Sequence, residues 1–411
     1  MMKIRRYCLL LLLLAFSMIA DVFAFPKTTV VLTTPSEDAL GAIRLLVNRF
    51  NTRQSQIYVK LKMLATSSDD CHNFYQTAFM SRSGDFDVFS GDIIWTPEFA
   101  SCGWIEPLDS FFKKETQARF LPGAIQSCIY NQKIWAVPWY TDFGVLFYRK
   151  DLIRKPPATW SGLLAAAQEL MKTGKVKYGY VFQGNQYEGL VCNALEFIFN
   201  NGGAVLEGNS VLIDSPAAVA GLQIMIDVMK ICPPEVVNFQ EEDARLAFQD
   251  GQIAFLRNWP YDWNLLNQAG SPVRGKIGVA PLPIGPRGSK GEGCLGGWNL
   301  MLNHFSKNKQ AAWKFIEFMT GEEGQKINAI TGGRLPTRMA VYRDPAVLKK
   351  NPYYSGFLNT FARSKPRPVS PFYPAISEAM QDNFYQAITG KLNAKTAIGN
   401  IAAEMKQILA Q

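Results

Sequence analysis

A single carboxylate set among aromatic rings is the most suggestive chemistry in this chain. Trp135 to Asp151 reads Trp-Ala-Val-Pro-Trp-Tyr-Thr-Asp-Phe-Gly-Val-Leu-Phe-Tyr-Arg-Lys-Asp, with Asp142 at a Pro-bent junction between two apolar runs. An aromatic face covers the C–H face of a sugar ring, and a carboxylate beside it accepts hydrogen bonds from adjacent hydroxyls. The pairing suits a polar, uncharged ligand with apolar and hydroxylated surfaces. Taken alone, the stretch reads equally as a buried strand and turn with an exposed Asp. Similar clusters downstream tip the balance toward a ligand.

Asp92 follows the strand-like Asp87-Val88-Phe89-Ser90-Gly91 and precedes Trp95. Trp259, Tyr261 and Trp263 follow the run Ile253 to Leu256, and Gly296-Gly297-Trp298-Asn299 leads into Leu300-Met301-Leu302. A lone Trp is more often core than ligand contact. Trp259 and Trp298 stand beside Pro or Gly-Gly at strand edges, which favours a ligand role.

Enzyme signatures are missing. The chain has two histidines, His72 and His304, and no His-Glu-x-x-His, Gly-x-Ser-x-Gly or Walker A sequence, so no cofactor is implied. Asp92 and Asp142 together remain an alternative as the acid and base of a secreted glycosidase. Gly285 to Gly293 lacks phosphate-loop spacing and reads as a mobile surface loop.

Alternating strand and helix signals position these residues. Thr28 to Thr34 is β-rich. Ser36 is a plausible N-cap for a helix carrying Leu40, Ile43, Val47 and Phe50 on one face. Ile57, Val59, Leu61 and Met63 alternate with polar neighbours as a half-exposed strand. Ser215-Pro216 opens a helix, and Ser306 opens another that reaches Met319 and stops at Gly321. The pattern is α/β with largely parallel sheets, whose ligands sit at the carboxyl ends of strands.

The first residues carry an address. Lys3, Arg5 and Arg6 precede the apolar run Leu9 to Ala20 and the small-x-small site Val22-Phe23-Ala24, a cleaved secretory signal that leaves Phe25 first. No later stretch has the roughly 20 apolar residues of a membrane span, so the expected product is periplasmic and not membrane-embedded. Its composition, 48% apolar and 19% charged, is globular. About 390 residues suit two domains. Losing three basic residues and one acidic takes the net charge from +9 to +7. No basic helix or long basic run speaks for nucleic acid.

Taken in order, several short segments match a known pattern. They are Ile134 to Trp139 through Tyr148 to Leu152, Tyr187 to Asn193, Phe255 to Tyr261 and Val279 to Pro283. Leu295 to Asn299, Gly333 to Arg338, Arg367-Pro368 and Tyr373-Pro374 complete the set. With them the mature chain resembles the extracellular solute-binding proteins of ABC sugar importers, most closely the trehalose/maltose-binding branch. The resemblance implies a two-lobe periplasmic-binding-protein fold with three crossings, near Thr141–Asp142, Ala280–Pro283 and Gly321–Thr331. The first lobe would hold residues 25–141 and 284–321, the second 142–283 and 322–411. A monomer would bind a disaccharide (trehalose, maltose or sucrose) in the cleft and deliver it to a two-subunit permease with a cytoplasmic ATPase. Asp92, Tyr140, Asp142, Trp259, Tyr261, Gly297, Trp298 and Arg367 would line that cleft. Glu37 follows the first strand where the family often has a sugar-binding acid, though Thr34-Pro35-Ser36 before it is less typical. Another oligosaccharide or glycerol-3-phosphate is the rival ligand; a phosphate would call for several cleft Arg or Lys and is disfavoured because the candidates are mainly acidic and aromatic.

Six cysteines follow the signal, none in a Cys-x-x-Cys pair. Under the crossing scheme any disulfide should lie within a lobe, with Cys192–Cys232 the first expectation, Cys102–Cys128 the second, and six reduced cysteines the open alternative. A bridge across the cleft would oppose hinge motion.

Overall fold

The computed structural model describes residues 27–36, 40–354, 356 and 364–410. The signal read in residues 1–24 and the candidate Glu37 lie outside these residues.

Two sheets organise the chain. The six-stranded sheet is built from β1 (Thr28–Pro35), β2 (Ile57–Leu64), β3 (Val88–Asp92), β4 (Ala136–Phe143), β9 (Leu295–Leu302) and β10 (Leu335–Pro336). The four-stranded sheet holds β5 (Val145–Arg149), β6 (Tyr178–Val181), β7 (Ile253–Asn258) and β8 (Ile277–Ala280). The first sheet runs in the order β10-β4-β9-β3-β1-β2 and the second β8-β5-β7-β6. Both are mixed, which corrects the largely parallel expectation. β1 runs parallel to β2 and β3, but β9 is antiparallel to both β3 and β4, and β7 is antiparallel to β5. β4 passes straight into β5 through Gly144 alone, and β9 returns to the first sheet beside it, so the returning strand runs against its neighbours.

Each sheet has its own core. Val30, Leu32, Phe79, Phe89, Trp139, Leu300 and Phe315 belong to one; Leu146, Phe147, Val181, Leu195, Phe255, Met380 and Ile401 belong to the other. The alternation in Ile57 to Leu64 buries Ile57 and Val59 under the helix α1 (Ala42–Arg53) and leaves Tyr58 and Lys60 in water. Gly41, in the left-handed region at φ 71°, precedes α1, so Ser36 at the end of β1 is not its cap. In the second unit, α4 (Glu188–Phe199) is buried on every side, packed against α5 (Pro216–Val228) and α8 (Tyr373–Ile388). Here α2 is Ser68–Met80, α3 Trp160–Lys172, α6 Glu241–Gln249 and α7 Lys309–Thr320. Ser215 caps α5 by accepting from the Ala218 amide at 3.2 Å, as its sequence position predicts. Ser306 does not open α7. It donates to Asp87 at 2.6 Å and accepts from the Asn308 amide, and α7 starts three residues later.

The glycine-rich stretch from Gly285 to Gly293 is tied down rather than loose. Asn200, at the end of α4, donates to the Glu292 carbonyl at 2.9 Å and accepts from its amide at 2.6 Å, and Asn201 accepts from Arg287. Among the described residues no helix is long and apolar enough to cross a membrane.

Candidate functional site

Two adjoining cavities lie between the sheets. The tighter, of about 50 Å³, is bordered by Asp92, Asp142, Glu188, Trp259, Tyr261, Gly297, Trp298 and Arg367. The larger, of about 450 Å³, is bordered by Tyr140, Leu40, Ile43, Tyr261, Leu265, Arg334 and the acidic start of α6. Thr66, Glu241, Tyr261 and Arg334 border both, so the two share a wall.

The first sheet supplies one wall through an irregularity between β4 and β9. Trp298 pairs with Tyr140, but Asn299 pairs with Pro138, leaving Trp139 as the extra residue of a bulge. Trp139 and Tyr140 are both buried, and both border the larger cavity. Gly297 makes the bulge possible. Its φ is 126°, and a Cβ there would lie 2.6 Å from the Tyr140 carbonyl oxygen and 2.8 Å from the Thr141 Cα, both backbone atoms. Trp298 stands edge-on against Trp95 at 5.4 Å between centroids, which fixes its ring.

The second unit supplies the facing wall. Trp259 follows β7, with its amide donating to Asn258 Oδ1 at 2.9 Å and its indole to Glu241 Oε1 at 3.3 Å. A Cβ on Gly296 would come within 3.0 Å of the Trp259 ring, so the missing side chain lets the ring lie close to β9. Behind the ring, the Arg257 guanidinium sits 4.0 Å from its centroid. That guanidinium is held by Glu196 at 2.7 and 2.6 Å and by Gln183 at 2.9 Å. Burial pushes the Glu196 carboxyl up, against the pull of Arg257.

Arginines tie the walls together. Arg367 donates to Asp92 at 2.5 and 3.1 Å from one side and to Glu188, at the start of α4, at 2.8 Å from the other. Glu188 also accepts from Tyr373 at 2.6 Å and Ser377 at 2.5 Å. Burial raises the Glu188 carboxyl, with Arg367 pulling it back and Asp69 and Asp92 pushing it further. Arg367 Nε is buried with no partner among the described residues, leaving one donor at the cavity unspent. Arg334 lies over the rings of Tyr261 at 3.9 Å and Tyr140 at 4.8 Å, with Asp142 at 3.7 Å.

The sequence candidates therefore gather. Asp92, Asp142, Trp259, Tyr261, Gly297, Trp298 and Arg367 share the tight cavity, and Tyr140 borders the adjoining one. Asp92 has a second job, capping the turn after β3 by accepting from the Ile94 amide at 3.3 Å. Sequence reasoning passed over Glu188, Arg334 and Glu241. The first two lay inside segments that carried the family resemblance but were not weighed as site residues; Glu241 had only its place at a helix start to mark it. Trp263 sits outside the cavities, against Tyr353 at 5.1 Å. Neither expected disulfide is present, since all six described cysteines are free. Cys232 donates instead to the Val228 carbonyl of its own helical turn, and Cys102 is exposed while Cys128 is buried.

The sequence pattern of the bacterial extracellular solute-binding proteins matches residues 35–326. A probable ABC transporter-binding protein of Deinococcus radiodurans is 35% identical over 85% of this chain and 86% of its own length. Among solved structures, maltose-bound T. maritima MalE3 is 39% identical with a TM-score of 0.89, covering 93% of this chain and 100% of that one. A solute-binding protein of Thermotoga lettingae bound with α-D-tagatose is 27% identical with a TM-score of 0.84, over 93% and 100%. The architecture is thus the two-lobe α/β periplasmic-binding-protein fold.

Proposed function

We propose a sugar-binding role for this chain, which belongs to the bacterial extracellular solute-binding proteins. In this reading it is the exported binding component of an ABC importer, and its ligand is an α-glucoside disaccharide, trehalose or maltose before sucrose. The observation that carries the reading is the cleft itself. Trp259, Trp298, Tyr140 and Tyr261 stand around Asp92, Asp142 and Glu241, lining two adjoining cavities between the sheets. Aromatic faces would cover pyranose C–H faces, the carboxylates would accept from vicinal hydroxyls, and the spare Arg367 Nε–H would donate to a hydroxyl or ring oxygen. Glu241, Glu242 and Asp243 at the larger cavity repel an anion, which speaks against glycerol-3-phosphate. Asp92 is held by two bonds to Arg367, an arrangement suited to a fixed acceptor rather than a glycosidase acid. Maltose bound to a 39% identical neighbour adds support for an α-glucoside.

Lobe closure would bury the sugar and present the closed form to a two-subunit permease driven by a cytoplasmic ATPase. Calorimetric titration with trehalose, maltose, sucrose and glycerol-3-phosphate tests the ligand class. Saturable heat with at least one disaccharide, none with glycerol-3-phosphate, and no glucose released on incubation is the expected result. Binding of glycerol-3-phosphate with no disaccharide binding would overturn the reading, as would release of glucose.

A further inference from the structure

Arg257 is a fully buried charge that has no place on the cavity walls. It lies near the end of β7 and is 1% exposed, yet it borders neither cavity. Each nitrogen of its fork donates. Nε and Nη2 donate to Glu196 Oε2 and Oε1 at 2.7 and 2.6 Å, and Nη1 donates to Gln183 Oε1 at 2.9 Å. Glu196 is equally buried, and its Oε1 also accepts from the Cys294 amide at 3.0 Å, where the chain enters β9. A Cβ on Gly144, between β4 and β5, would overlap that same oxygen and lie 2.6 Å from Arg257 Nη2. The ion pair is thus wedged between α4, the passage from β4 to β5 and the entry to β9.

Stability alone does not account for such a pair. Two buried charges contribute little over apolar side chains of equal volume, because their desolvation offsets their attraction. What the pair does provide is a rigid plane, since a guanidinium gripped through two nitrogens by one carboxylate cannot turn. Trp259 stands on that plane, with its ring centroid 4.0 Å from the guanidinium carbon. The other restraints on the ring act at its edges. Its indole N–H reaches Glu241 Oε1 at 3.3 Å, and a Cβ on Gly296 would come within 3.0 Å of its six-membered ring.

We propose that Arg257 is a positioning residue for ligand binding, its ion pair with Glu196 bracing the Trp259 ring at the angle a sugar face requires. This rests on the sugar-binding reading above. A ring braced on one face stacks with the other, and it is already ordered when the ligand arrives. The bond from the Cys294 amide to Glu196 ties the brace to β9, the strand that carries Gly297 and Trp298 of the facing wall. Without the brace the ligand itself must order the ring, and binding weakens by that cost.

Removing Arg257 alone would strand Glu196, so the test variant joins Arg257→Met to Glu196→Gln, which leaves neither charge buried without its partner. Near-UV circular dichroism of sugar-free protein reads the ring directly, its contribution being the difference between wild type and Trp259→Leu. That contribution should shrink in the paired variant. Calorimetry with maltose and trehalose reads the consequence, an affinity about two- to tenfold weaker than wild type. In a Trp259→Leu background the paired change should cost nothing further, because Arg257 acts through the ring. Arg257→Lys keeps the buried charge without the fork and should weaken binding in the same way, which serves if the paired variant does not fold. An unchanged Trp259 contribution would overturn the proposal. So would wild-type affinity in Arg257→Lys, or an equal loss with and without Trp259, the mark of a merely structural pair. Wild-type protein that gives no heat with either sugar would instead fell the sugar-binding reading, and the sugar-free spectrum would still decide whether Arg257 sets the ring.

Discussion

Replacing Arg367 by Ala would remove a side chain that bonds to both walls of the cleft. Arg367 is 2% exposed, and its carboxylate partners Asp92 and Glu188 are 7% and 5% exposed. Three short bonds would vanish, two to Asp92 and one to Glu188, leaving two buried carboxylates without their counter-charge. Removing one member of a buried ionic group costs about 3–5 kcal/mol, because the remaining charge is stranded away from water. The structure also sets how that cost varies with pH. Burial already raises the Glu188 carboxyl, and Arg367 is the main influence opposing the rise. In the variant the carboxyl therefore rises further. A group whose folded pKa exceeds its unfolded one contributes stability below the unfolded value and loses it as pH rises through the folded value. The deficit should then shrink on acidification, by at most about 1.4 kcal/mol per pH unit between those two values. Urea unfolding followed by Trp fluorescence at pH 8 and pH 5 measures it. The expected deficit is about 3–5 kcal/mol at pH 8, and clearly smaller at pH 5. A deficit under about 1 kcal/mol at pH 8, or one that grows on acidification, would refute the reasoning.

Three further outcomes follow from the same geometry. Gly297→Ala should destabilise by roughly 3 kcal/mol or more, from strain at positive φ plus overlap with the Tyr140 carbonyl, read as a shift in the urea midpoint. A loss under about 1 kcal/mol would mean that the bulge relaxes freely. Asp142→Ala should leave the fold intact and weaken maltose or trehalose binding by about 1–3 kcal/mol in calorimetry; unchanged affinity would remove Asp142 from the site. Sugar should protect Trp259 and Trp298 from acrylamide quenching, and the aromatic part of the site fails if neither is shielded and Ala at each leaves affinity unaltered.

Much of the architecture was legible because local rules leave local marks. The alternation of Ile57 to Leu64 sets the buried face of β2, and Ser215-Pro216 announces α5 through a side-chain cap. The clustering of Trp, Tyr and Asp after strand-like runs marked the cleft, since strand ends present their residues at the sheet edge. Charge and Ser were read less well. Ser36 and Ser306 look like caps, yet one lies just past β1 and the other serves Asp87 and the Asn308 amide.

By itself, the sequence determined the α/β alternation, the absence of enzyme signatures and the aromatic–acidic character of the site. Composition and short-range pattern act within one element, so they survive as readable signals. Only the tertiary structure decided partners distant in the chain. Arg367 and Asp92 are 275 residues apart, and no periodicity reports that they touch. Trp139 and Tyr140 are consecutive, yet a bulge opposite Trp298 and Asn299 lets both reach the same cavity while staying packed in the first core. The Cys294 amide meets Glu196 of α4, 98 residues earlier, because the chain returns past that helix as it enters β9, and such packing is contained in no single segment.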